Sequence, residues 1–141
     1  GRTRTDAHTP ILEGHPQYTK SPSGMPLVQH SLLSLLDHYH QGTFTLERIV
    51  EKACHNPARR FHVKDRGFIR EGYAADLVLV DLTATTEVTK KNIRYKCGWS
   101  PFEGHRFRSK VCSTYINGTL AYNGENIVSG SETAEALRFD R

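Results

Sequence analysis

The sequence predicts an α/β chain in which two amphipathic helices precede a small all-β unit. Three observations carry that expectation. Val28, Leu32, Leu35, Leu36 and Tyr39 recur at helical spacing, as do Leu46, Ile49, Val50 and Ala53. The run Leu77-Val78-Leu79-Val80 is apolar, bounded by Asp76 and Asp81, and too short for a helix. Asn117-Gly118 separates two strand-like runs, residues 111–116 and 119–122, and both residues accept the positive φ of a type I′ turn.

Taken in order, residues 1–25 are irregular, dominated by Gly, Pro, Thr and His with no helical or strand period. Helix one begins with Pro26 in its first turn, where a missing N–H costs little, and stops at Gly42. Its stripe is the Val28-to-Tyr39 set, with His30 expected at the edge. Helix two has Thr45 as N-cap and Glu47 near the positive end of the dipole. Its buried face is Leu46, Ile49, Val50 and Ala53. Asn56-Pro57 then restarts a short turn, with Asn56 as cap and Pro57 at the first position. From about residue 62 short strands replace helices. Leu77 to Val80 is expected as a buried strand, and the Asn117-Gly118 hairpin is followed by a second turn at Asn123-Gly124. The tail from Ser129 is polar, with a short helix expected around Glu132 to Leu137.

Composition narrows the classes of function. The 141 residues are 37% hydrophobic, below the usual globular share, which fits a piece built to lean on neighbours. The net charge of +4 comes from 19 basic and 15 acidic residues that are scattered, so no basic stripe for nucleic acid is expected. No apolar run is long enough to cross a membrane, and the polar N-terminus lacks a signal core. Cys54, Cys97 and Cys112 are odd in number and form no C-x-x-C, so reduced thiols and a cytoplasmic location are expected. His38-x-His40 imitates a metal pair, but on a helix positions i and i+2 point roughly 200° apart, which excludes joint chelation. His15, His55, His62 and His105 are isolated and read as solvated or capping residues. Asp76 and Asp81 read as turn residues.

Four stretches go further: Lys96-Cys97-Gly98-Trp99-Ser100-Pro101-Phe102-Glu103-Gly104, the segment from Ser21 to His30 ending Met25-Pro26-Leu27-Val28-Gln29-His30, Asn56-Pro57-Ala58-Arg59-Arg60-Phe61, and Gly67 to Asp81 with its Ala-Asp-Leu-Val core. Together they resemble the C-terminal third of the dihydroorotases, which are metal-dependent cyclic amidohydrolases. The Ala-Asp-Leu-Val strand resembles cyclic amidohydrolases in general. The aromatic loop and the Pro-Leu-Val-Gln-His segment narrow the resemblance to dihydroorotase.

The resemblance implies a fold and a chemistry. Residues 1–61 would be the last loop and two helices of a (β/α)₈ TIM barrel, and 62–141 the C-terminal part of a small β-sandwich and tail. The whole enzyme would use zinc to interconvert dihydroorotate and N-carbamoyl-aspartate in pyrimidine biosynthesis. Asp6 in Thr5-Asp6-Ala7-His8 would contact metal and carry a proton from the attacking hydroxide to the leaving amide nitrogen. His8, Ser23 and Gly24 would contact substrate, Gly24 because a missing Cβ allows close approach. One residue separates Asp6 from His8, and Pro10 follows the His. Trp99 and Phe102 would pack the sandwich against the barrel. A missing barrel portion or partner subunit, and a homo-oligomer, are the implied partners. Two other readings stand beside it: a non-catalytic interaction module, and another cyclic amidase such as a hydantoinase or allantoinase.

Overall fold

The computed structural model describes residues 24–128, 130 and 134–140. These form helices and two small sheets, gathered into two compact units: residues 24–31 with 87–106, and 32–86 with the described residues from 107 onward.

Helix α1 is Ser31–His40. It starts later than the stripe suggests, because residues 28–30 form a separate turn closed by His30 N–H to Leu27 C=O at 3.0 Å. Pro26 is therefore outside the helix and Val28 is 88% exposed. The buried residues of α1 are Leu33 and Leu36: Leu36 belongs to the predicted stripe and Leu33 does not, while Leu32, Leu35 and Tyr39 are half-buried. Gly42 ends the helix as expected. At φ +75° its N–H bonds Tyr39 C=O at 2.9 Å while Thr43 N–H reaches His38 C=O at 2.9 Å, the paired bonds of a Schellman cap.

Helix α2, Leu46–Val50, opens on Thr45, whose Oγ1 accepts from Arg48 N–H at 3.2 Å. Only Ile49 of its predicted face is buried; Val50 and Ala53 are exposed. The chain then continues without a break through a π-helical turn, Glu51–His55, into α3, Asn56–Arg60. Asn56 is thus a helical residue and not a cap. Pro57 explains the π geometry: it has no N–H for the carbonyl four residues back, and its ring crowds that carbonyl, so the turn widens.

The larger sheet has the order β1-β4-β5, from Leu77–Asp81, Lys110–Ile116 and Thr119–Tyr122. Strands β4 and β5 are the predicted hairpin, and both turn residues have positive φ, +48° at Asn117 and +80° at Gly118. Strand β1 pairs antiparallel with β4, Leu77 opposite Tyr115 and Asp81 opposite Lys110. It is not buried as predicted: Val78 is 46% and Leu79 51% exposed, and among the described residues β1 pairs only with β4. Strands β2, Thr86–Glu87, and β3, Arg106–Phe107, form the second sheet.

Both aspartates bracketing β1 organise turns. Asp76 pairs with Arg66 and accepts from Asn117 N–H at 2.9 Å, while Arg66 also reaches Asn117 Oδ1 at 3.3 Å. Asp81 Oδ1 accepts from Thr83 Oγ1 and N–H, both at 2.7 Å, and from Ala84 N–H at 3.1 Å; these bonds hold its carboxyl below the usual range. After Asn123-Gly124 the chain returns along β5, with Val128 N–H on Ala121 C=O at 2.9 Å. Residues 134–137, in the second half of the predicted tail helix, are not helical. The chain there runs back beside residues 62–64, with Lys64 N–H on Arg138 C=O and a Val63–Phe139 bridge.

Candidate functional site

Of the predicted site residues, Asp6, His8 and Ser23 lie outside the described residues. Gly24 is described: it is exposed in a bend, and a Cβ there would meet nothing within 4 Å. Among the described residues, no steric need for glycine arises at this position.

The segment leading from Gly24 to His30 is held by the loop before and within the aromatic stretch. The Gln29 backbone N–H donates to Tyr95 Oη at 2.8 Å. Its side-chain Nε2 donates to Asn92 C=O at 2.7 Å, and its Oε1 accepts from Arg94 N–H at 2.8 Å. One glutamine amide thus satisfies backbone groups on both sides of Ile93, as a neighbouring strand would.

His30 is the centre of the arrangement, at 2% exposure. Its Nδ1 lies 3.3 Å from Ser100 Oγ and 3.4 Å from Tyr95 Oη. Tyr95 and Phe102 meet the imidazole edge-on, with ring centroids 5.8 and 5.9 Å away. Ser100 is fully buried, and its Oγ accepts from Phe102 N–H at 3.2 Å, which fixes the loop's own bend. Burial lowers the His30 pKa, so the ring is neutral at neutral pH and its Nδ1 meets the two hydroxyls without a charge to solvate. This arrangement can position and rigidify a segment. It holds no group placed to attack a carbonyl.

Sequence periodicity puts His30 at the rim of a stripe. Its true depth depends on partners some 65 and 70 residues away, which no local period reports. Phe102 packs edge-on against His30 within its own unit. Three other histidines have separate engagements. His38 meets Phe44 edge-on at 5.6 Å, His40 Nε2 bonds Ser109 Oγ at 2.9 Å, and His55 stacks on Phe68 at 4.3 Å. Among the described residues no three His, Cys, Asp or Glu side chains are grouped as metal ligands, and the three cysteines are free and exposed. No helix among them is long and apolar enough to cross a membrane.

Residues 18–121, which include the moored segment, the aromatic loop and the Ala-Asp-Leu-Val strand, match the model of the amidohydrolase family; the chain belongs to that family. Within it, the chain is 34% identical to the dihydroorotase of Pyrococcus furiosus over 106 residues, which are 75% of this chain and 25% of that protein. It is 37% identical to an allantoinase of Desulfitobacterium hafniense over 107 residues, 75% of this chain and 24% of that protein. Among solved structures it resembles the L-hydantoinase (dihydropyrimidinase) of Arthrobacter aurescens, with a TM-score of 0.70 and 27% identity over 78% of this chain and 25% of that one. The D-hydantoinase (dihydropyrimidinase) of a Thermus species shares the fold at a TM-score of 0.73 and 24% identity, covering 86% of this chain and 27% of that one. The chain spans about a quarter of the length of the curated relatives it matches.

Proposed function

We propose that these residues are the C-terminal portion of a zinc-dependent dihydroorotase, which opens the cyclic amide of dihydroorotate reversibly to N-carbamoyl-aspartate in pyrimidine biosynthesis. One observation carries the reading. The two stretches that narrow the resemblance to dihydroorotase, Pro26 to His30 and Lys96 to Gly104, are far apart in sequence yet are joined through His30, Ser100 and Phe102. In this reading residues 1–61 close the barrel, residues 62–141 complete a sandwich, and the Gln29–His30 mooring holds the turn that carries Ser23 and Gly24 toward substrate. Asp6 carries the proton between hydroxide and leaving nitrogen and contacts metal, and His8 holds the substrate carboxylate.

Zinc comes to this reading from the family alone. The described residues do not fit it: His30, His38, His40 and His55 are engaged with serine, tyrosine or aromatic partners, and no trio of ligands converges among the described residues. A zinc site needs at least three protein ligands, so those ligands would come from outside the described residues. The protein is cytoplasmic in this reading and works with a barrel portion, as a homo-oligomer.

The 37% identity to an allantoinase favours a second cyclic amidase reading, ring-opening of a five-membered substrate. Turnover decides between them. The protein carrying these residues together with a barrel, loaded with zinc, is expected to hydrolyse dihydroorotate faster than hydantoin or allantoin. Preference for either five-membered ring would replace the reading, and turnover of none would leave an interaction module. The 141-residue chain alone is expected to be silent toward all three, since Asp6 cannot hold zinc unaided.

A further inference from the structure

An open hollow of about 580 Å³ is lined by Asn56, Arg59, Arg60 and His62. Every lining side chain can donate hydrogen bonds, and two are permanently cationic. Arg59 and Arg70 both lie over the ring of Phe68, at 5.1 and 4.7 Å from its centroid, while His55 stacks on the same ring at 4.3 Å. The two guanidiniums are thus no more than about 10 Å apart. Neither they nor Arg60 pair with a carboxylate among the described residues. Two carboxylates border the hollow: Glu51, which is held by Arg48 at 2.6 Å and also reaches Asn56, and Asp140, whose carboxylate lies 3.9 Å from Lys64.

The backbone at His62 supplies an independent argument. His62 N–H bonds Arg59 C=O at 3.3 Å and Val63 N–H bonds Ala58 C=O at 2.9 Å, so His62 occupies the left-handed position of a Schellman cap, at φ +53°. At the matching position after α1 the chain uses Gly42. A histidine there bears a conformational cost that glycine avoids, and its side chain is one of the four that line the hollow.

We propose that this hollow binds the phosphate group of a small phosphate-bearing molecule, a role separate from the amidohydrolase reading. A phosphate monoester offers three acceptor oxygens and a second negative charge to two planar guanidinium forks, an imidazole and a carboxamide. A carboxylate could satisfy fewer of these donors.

The test is a titration of the complete chain with inorganic phosphate, pyrophosphate and acetate at constant ionic strength. It is followed by NMR of arginine and asparagine side-chain N–H groups and of histidine rings. Saturable shifts confined to Asn56, Arg59, Arg60 and His62 are expected with phosphate and pyrophosphate, tighter for pyrophosphate, and not with acetate. Arg59→Gln combined with Arg60→Gln should weaken binding about tenfold or more, whereas Lys91→Gln should leave it unchanged. Shifts that never saturate or that scatter over the surface would overturn the assignment. So would equal binding of acetate, or an equal loss in Lys91→Gln. Because localisation is read on the unaltered chain, the result does not depend on the double variant folding.

Discussion

Gly67 and Gly72 share a backbone conformation, φ +80° at each, but only one is enclosed. A Cβ on Gly67 would lie 2.4 Å from Ala58 Cβ and 2.9 Å from Cys54 C=O, whereas one on Gly72 meets nothing within 4 Å. Both substitutions incur the left-handed penalty of about 1–2 kcal/mol. Gly67→Ala adds a collision with the helical backbone, so its loss should reach about 2–4 kcal/mol against about 1–2 for Gly72→Ala. Chemical denaturation of the two variants checks the difference, and equal losses would mean that 54–58 yields easily. His30 makes the other residue-scale prediction. Its folded pKa lies below the value near 6.5 that it has when unfolded, so the folded state binds fewer protons. The stability tied to neutral His30 is therefore complete above about pH 6.5 and declines as pH falls from there toward the folded pKa. His30→Asn should flatten that part of the stability–pH curve, and an unchanged slope would show that His30 does not control it. Little of this is legible in the sequence. Gly67 can be read there as a turn glycine, but what it must avoid, and what buries His30, comes from residues distant along the chain.

At the scale of elements, local chemistry is readable wherever a turn or cap decides it. Thr45, Gly42 and Asn117-Gly118 do what their side chains and permitted φ values require. Faces are less readable, because a run such as Leu32-Leu33-Ser34-Leu35-Leu36 offers more apolar positions than one side of a helix can bury. Leu33 and Leu36 are taken, at 5% and 4% exposure. Val28 is left outside because the chain turns before α1 begins. Leu33→Ala should therefore cost about 2–4 kcal/mol and Val28→Ala close to nothing. The stripe drawn from sequence would make Val28 matter and Leu33 not, so a pair of denaturation curves separates the two. The π-helical turn before Pro57 is equally hidden: the proline announces a break in hydrogen bonding, but whether the helix stops or widens depends on what lies beyond it.

At the scale of the whole chain, the departure at β1 bears on association. A run reading Leu-Val-Leu-Val suits a strand covered on both faces. Here Val78 and Leu79, which point to opposite faces, are each about half exposed, and β1 has only β4 beside it among the described residues. Ile69 and Ile127 are likewise 89% and 65% exposed. An edge strand with apolar residues on both sides and unpaired backbone groups along its rim is a template for another strand. In isolation the 141-residue chain should associate at micromolar concentrations, and Val78→Lys with Leu79→Lys should shift it toward monomer, since an edge lysine opposes strand addition. Sedimentation velocity over a concentration series measures both. A chain that remains monomeric throughout would mean that the exposed face of β1 tolerates water, and would remove the reason to expect a barrel portion or second copy against it.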